Sequence, residues 1–183
     1  MKPKLIALSG LAGSGKDAVR AILEEEGYTG LAFADPIRAM LRTLLTDAGL
    51  HAGYMDAREL KERAIPGLGV SYRQMAQTLG TEWGRALDAN FWLRIAQARM
   101  DGLISGGDVN RFVISDCRFA NEAAWVKSQG GVIWRVHREG LAPVRAHVSE
   151  SEMQRIRPGR TIHNNGTLDD LRVTVLEALG VAA

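Results

Sequence analysis

A run of apolar and small residues, Leu5-Ile6-Ala7-Leu8-Ser9, passes directly into Gly10-Leu11-Ala12-Gly13-Ser14-Gly15-Lys16-Asp17. A continuous apolar run bounded by glycine predicts a buried parallel strand over 4–9. Val19, Ile22 and Leu23 then share one face of a predicted helix over 15–26, which Gly27 ends. Between strand and helix, the spacing Gly10, four residues, Gly15, Lys16 is that of a phosphate-binding loop. Glycines let successive N–H groups curl round an anion without Cβ obstruction, and the helix start turns its positive dipole end towards the same point. The backbone of Leu11, Ala12, Gly13, Ser14 and Gly15 would cradle phosphate, and Lys16 would reach the β- and γ-phosphates as a point charge. Asp17 stands where Ser or Thr usually ligates Mg²⁺, and Ala18 follows it. A carboxylate is also a hard oxygen ligand for Mg²⁺, and it is a favourable charge in a first helical turn.

Composition narrows the class. The chain has 183 residues, 46% of them hydrophobic and 24% charged, enough for one domain with a real core. A net charge of +2 without a basic aromatic stripe argues against nucleic-acid binding. No apolar run approaches membrane length, and the N-terminal run is too short for a signal peptide. The single cysteine, Cys117, excludes an intramolecular disulfide, and His51, His137, His147 and His163 show no metal-ligand spacing. These features predict a soluble protein of a reducing, cytoplasmic compartment.

Further along, residues 30–34 read as a short strand followed by Asp35-Pro36, a helix N-cap and first position. Arg38 and Arg42 lie four apart on that helix, away from the apolar face. Residues 47–70 predict a short helix near 56–64 and a Pro66-Gly67-Leu68-Gly69 turn. A helix from Tyr72 to about Leu87 would place Met75, Leu79, Trp83 and Leu87 in the core. Another helix covers 89–104, where Trp92 reads as core or as a base-stacking surface. A strand over 111–115 ends at Asp116, on the rim where α/β folds bind ligands. Helix 120–129, strand 132–136, an arginine-bearing excursion after His137, strand 160–163 and a final helix complete the chain. Thr167 and Asp170 form a capping box for that helix, which Gly180 ends.

Several stretches in order carry a family resemblance: the Gly10–Asp17 loop, Phe33-Ala34-Asp35-Pro36, the run from Arg73 to Glu82, Ile114-Ser115-Asp116-Cys117-Arg118-Phe119-Ala120-Asn121-Glu122, His147-Val148-Ser149-Glu150 and Asn164-Asn165-Gly166-Thr167-Leu168. The chain resembles the phage-type deoxynucleoside monophosphate kinases, in the adenylate-kinase-like branch of P-loop proteins. It departs from the pattern at Ala18 and at Arg145-Ala146. The resemblance implies a three-layer α/β fold: a mainly parallel five-stranded sheet with helices on both faces, a helical acceptor-binding insertion and a small lid. The core would span 1–34 and 106–183, the insertion about 35–105, and the lid about 138–150.

The implied activity is transfer of the ATP γ-phosphoryl group to a deoxynucleoside 5′-monophosphate, with Mg²⁺. Lys16, Arg118 and Arg138 would act on the transferring group. Residues 11–18, with Asn165 and Thr167, would hold ATP. Asp35, Arg38, Arg73, Gln77, Trp83, Trp92, Asp116, Arg118 and Glu150 would face the acceptor, and Asp17 and Asp116 would be the metal-side acids. The expected partners are small molecules, with neither nucleic acid nor membrane, in the host cytoplasm if the chain is phage-encoded; homodimer formation is left open. Two alternatives stand beside this reading: a small P-loop kinase for a phosphorylated metabolite, of the coenzyme-precursor or phosphomevalonate type, and a non-catalytic ATP-binding switch module.

Overall fold

The computed structural model describes residues 2–57, 59–107, 109–141 and 148–181, without the side chains of 148–151. The described residues divide into two compact units, one formed by the segments 1–32 and 96–183 and the other by 33–95.

The first unit is built on five parallel strands: β1 (Leu5–Ser9), β2 (Thr29–Leu31), β3 (Phe112–Ile114), β4 (Val132–His137) and β5 (Arg160–His163), in the order β2-β3-β1-β4-β5. All five residues of β1 are buried, as befits a strand between two neighbours and two helical layers. The chain leaves β1 through α1 (Lys16–Glu25) and reaches β2 beyond β3. From β3 it passes through α7 (Ala120–Ser128) to β4, on the opposite side of β1. Because such crossovers are right-handed, reversing their direction puts α1 and α7 on opposite faces. The reversal falls at the carboxyl end of β1, where open α/β sheets form their ligand crevice.

Side-chain alternation distributes the core accordingly. Ile6 and Leu8 of β1 join Val19, Ile22 and Leu23 of α1. Leu171, Val175 and Leu179 of α9 (Leu168–Leu179) complete that cluster. Ala18 packs against it, so its methyl belongs to the helix–sheet seam. On the other face, Val126 of α7 is fully buried, and Gly131 lies so close that a Cβ there would stand 2.8 Å from the Val126 carbonyl oxygen. The predicted cap of α9 is present: Asp170 N donates to Thr167 Oγ1 (3.2 Å), Thr167 N to Asp170 Oδ2 (2.8 Å), and Gly180 closes the helix at φ 71°. The excursion after β4, where a lid is expected over about 138–150, contains α8 (Val148–Arg155).

The second unit holds α2 (Asp35–Asp47), α3 (Gly53–Asp56), α4 (Tyr72–Gln77) and α5 (Arg85–Leu87), and the start of α6 (Phe91–Ser105). Three expectations need correction here. Asp35 is the first helical residue of α2 rather than its cap; Ala34 holds that position. The short helix expected near 56–64 lies earlier, at α3. The long helix from Tyr72 is interrupted by a π-helical segment, Thr78–Gly84. Wider turns of i→i+5 bonding put the 3.6-residue stripe out of phase. Trp83 and Leu87 therefore come out 42% and 62% exposed instead of buried, and Tyr72 and Gly84 take the interior places.

Candidate functional site: a glycine loop with a half-buried lysine

The loop between β1 and α1 is shaped by its glycines. Gly10, Gly13 and Gly15 have φ of 149°, 83° and 98°, values that L-residues with a Cβ rarely adopt. Gly10 also lies against β4: a Cβ there would stand 2.3 Å from the Val136 carbonyl oxygen. Lys16 folds back over the loop, and its Nζ donates to the carbonyls of Gly10 (2.7 Å) and Leu11 (2.8 Å). Burial pushes the Lys16 ammonium down to about 8, and the Arg118 guanidinium pushes the same way, while Asp17 and Asp116 oppose them. One cation therefore feels the charges of Asp17, Asp116 and Arg118, three of the residues singled out from sequence. Ser14 and Ser9 carry buried hydroxyls with no hydrogen-bond partner among the described residues.

The sheet topology explains the rest of this cluster. Asp116 follows β3, next to β1, and is 8% exposed. The Cys117 N–H donates to the Leu8 carbonyl (3.0 Å), which ties this segment to the last turn of β1. Cys117 is wholly buried, and burial raises its thiol pKa, so it is a packing residue. Arg118 is exposed, while its backbone is held by Glu122: the buried carboxylate accepts from Arg118 N (2.7 Å) and Phe119 N (3.0 Å). Glu122 thus serves both the N-terminus of α7 and the arginine-bearing turn. Its signal in the sequence was an acid at the third position of a helix.

A cavity of about 160 Å³ adjoins the loop, lined by Gly10, Leu11, Ser14, Arg135, Arg138 and Met153 among others. Arg135 Nη2 donates to the carbonyls of Met153 (3.0 Å) and Ile156 (2.6 Å), satisfying the end of α8. Arg138 itself is exposed. Asn165 Oδ1 accepts from Glu139 N (2.9 Å), and the Thr167 hydroxyl is engaged in the capping box, donating to Asp170 Oδ2 (2.7 Å). Asn164, not among the site residues expected from sequence, donates from Nδ2 to the Ser14 carbonyl (2.8 Å). Glu150 and the Arg145-Ala146-His147 stretch lie outside the described residues and side chains.

The second unit gathers its own polar group. Arg38 pairs with Asp35 (3.2 Å) and hydrogen-bonds the largely buried Tyr72 hydroxyl, whose pKa burial raises. Tyr72 carried no signal in the sequence beyond its place after the Ser71 cap. Arg73 forms an ion pair with Glu62, and Gln77 is half-buried at the end of α4. Trp92 is interior: its Nε1 donates to the Gly80 carbonyl (2.7 Å), and a Cβ at Gly84 would overlap its ring. Trp83 lies on the surface against Trp92 and Phe91, with ring centroids 6.2 and 5.6 Å away.

Among the described residues no group of three His, Cys, Asp or Glu could hold a metal unaided. Mg²⁺ needs no such cage, because it is bound through one or two carboxylates plus substrate phosphates and water. Asp17 and Asp116 are carboxylates of the type that ion takes, and both act electrostatically on Lys16.

Known proteins resemble the chain in sequence and in fold. A candidate deoxynucleotide monophosphate kinase of Acanthamoeba polyphaga mimivirus is 28% identical over 191 aligned positions, covering 98% of this chain and 97% of that protein. The crystal structure of TT1252 from Thermus thermophilus shares the fold, with a TM-score of 0.54 at 22% identity over 98% of both chains. The family model for deoxynucleotide monophosphate kinase matches residues 54–175, about two thirds of the chain, so the glycine loop stands on its own geometry. By that match, the chain belongs to the deoxynucleotide monophosphate kinase family.

Proposed function

We propose that the protein transfers the γ-phosphoryl group of ATP to a deoxynucleoside 5′-monophosphate, yielding the diphosphate and ADP. The observation that carries the reading is a half-buried ammonium held over a positive-φ glycine loop, in a chain of this family. Phosphoryl transfer asks little covalent chemistry of a protein. It asks for two anions brought into line and for their charge to be neutralised. Lys16 already donates to two carbonyls, and a triphosphate would exchange those neutral acceptors for charged ones. The Ser14 hydroxyl, at the cavity edge and without a hydrogen-bond partner among the described residues, can donate to a phosphate oxygen.

In this reading Leu11 to Ala18 hold the donor, with Asn165 and Thr167 at its far end. Asp17 and Asp116 would hold Mg²⁺, which supplies charge neutralisation between the donor's phosphates. Arg118 and Arg138 stabilise charge on the transferring group. Asp35, Arg38, Arg73 and Glu150 serve the acceptor, with Gln77, Trp83 and Trp92 shaping its base pocket and a lid over 138–150 excluding water. The test is coupled ADP release with ATP and Mg²⁺ against dAMP, dGMP, dCMP, dTMP and their ribose counterparts. Turnover with deoxynucleotides that vanishes in Lys16→Ala supports the reading. ATP binding without turnover of any nucleoside monophosphate refutes it. Arg118→Ala should lower kcat on the order of 10³-fold, by the logic of arginine fingers.

A further inference from the structure

Asn164 is at the end of β5, where its own N–H donates to the His137 carbonyl (2.8 Å) and so fixes its backbone against β4. From that anchor its Nδ2 reaches across to the Ser14 carbonyl (2.8 Å). The amide group occupies the space that a Cβ on Gly15 would need, with Nδ2 only 2.1 Å from that position. Gly15 is therefore required twice, by its φ of 98° and by the approach of Asn164. The described backbone holds no cis peptide, and in a trans peptide the carbonyl and the following N–H point in opposite directions. Holding the Ser14 carbonyl towards Asn164 thus turns the Gly15 N–H the other way, and that N–H meets no protein acceptor among the described residues.

We infer that Asn164 is a positioning residue for the donor phosphates: its side-chain amide locks the Ser14–Gly15 peptide so that the Gly15 N–H is preset for a phosphate oxygen. A single hydrogen bond from a distant strand replaces what the loop would otherwise have to gain by reorienting that peptide when nucleotide arrives. The inference rests on the donor-site reading above and names a residue that this reading does not include.

The experiment uses inorganic pyrophosphate as probe, with affinity measured by calorimetry on the full chain. Asn164→Asp preserves shape but replaces the donor by an acceptor; Asn164→Ala removes the donor without adding charge. Both should bind pyrophosphate at least tenfold more weakly than wild type. The KM for ATP should rise, while the KM for the acceptor nucleotide stays within about twofold. The Gly15 amide resonance, which in wild type should shift downfield as pyrophosphate binds, should be displaced or broadened in the free variants. If Asn164→Ala fails to fold, Asn164→Leu, which keeps the volume and removes the donor without adding charge, answers the same question. Wild-type affinity in both folded variants, or in the one that folds, overturns the inference while leaving the donor site intact. Absence of pyrophosphate binding by the wild-type protein itself removes the donor reading and the inference together.

Discussion

Replacing Lys16 by Met keeps the alkyl stem and removes the ammonium, which gives the cost of burying that charge a direct readout. Burial and Arg118 hold the folded-state pKa at about 8, against 10.5 in the unfolded chain. A lysine whose folded pKa is depressed sheds its proton earlier in the native state, so between pH 8 and 10.5 the unfolded chain binds more protons. Stability conferred at this position therefore rises with pH across that window and is flat below it. From pH 7 to pH 9 the wild type should gain about 1 kcal/mol relative to Lys16→Met. With a urea dependence of roughly 2 kcal/mol per molar for a chain of this size, the gap between the two midpoints should move by roughly half a molar. Comparing the two proteins at each pH cancels the other groups that titrate there, including Cys117, whose raised pKa acts in the opposite sense. The absolute gap at pH 7 is not decisive, because the variant also loses two hydrogen bonds to carbonyls. The slope is. A gap that stays constant between pH 7 and 9, or moves in favour of the variant, would refute the claim that this ammonium is held against its preference.

Three further outcomes follow from the packing. Gly10→Ala should lose roughly 3 kcal/mol of stability, since its Cβ would meet the Val136 carbonyl in a backbone conformation unsuited to alanine; thermal unfolding checks it. Trp92→Phe should cost about 1–3 kcal/mol by leaving the Gly80 carbonyl without its donor, measured as a urea midpoint. Thr167→Ala should destabilise α9 by about 1 kcal/mol through loss of its cap; a change in the KM for ATP beyond what that loss explains would show that Thr167 also touches nucleotide.

The parts of the fold legible in the sequence are those where local chemistry and tertiary placement agree. β1 reads as an unbroken apolar run because both its faces are covered, and α9 announces its start at Thr167 and its end at Gly180. The glycine loop is legible because its geometry demands particular residues at fixed spacing. Trp83 and Leu87 were misplaced because a π-helical segment leaves no periodic mark: the side chains look helical while the phase drifts. Tyr72, Glu122 and Asn164 were missed as site residues because their roles are relational. Asn164 matters through a carbonyl 150 positions away, and nothing in its neighbours along the chain points there.

The π-helical segment has a genetic consequence. A turn bonded i→i+5 holds one residue more than a turn bonded i→i+4, so Thr78–Gly84 behaves as a helix that has absorbed a single-codon insertion. Deleting one codon there would let the helix close in ordinary i→i+4 register while everything after it kept its present face. Trp83 and Leu87, both exposed now, would stay on the surface. The residues proposed to shape the base pocket are therefore buffered at this point against a one-residue change in length, which the wide turn alone takes up.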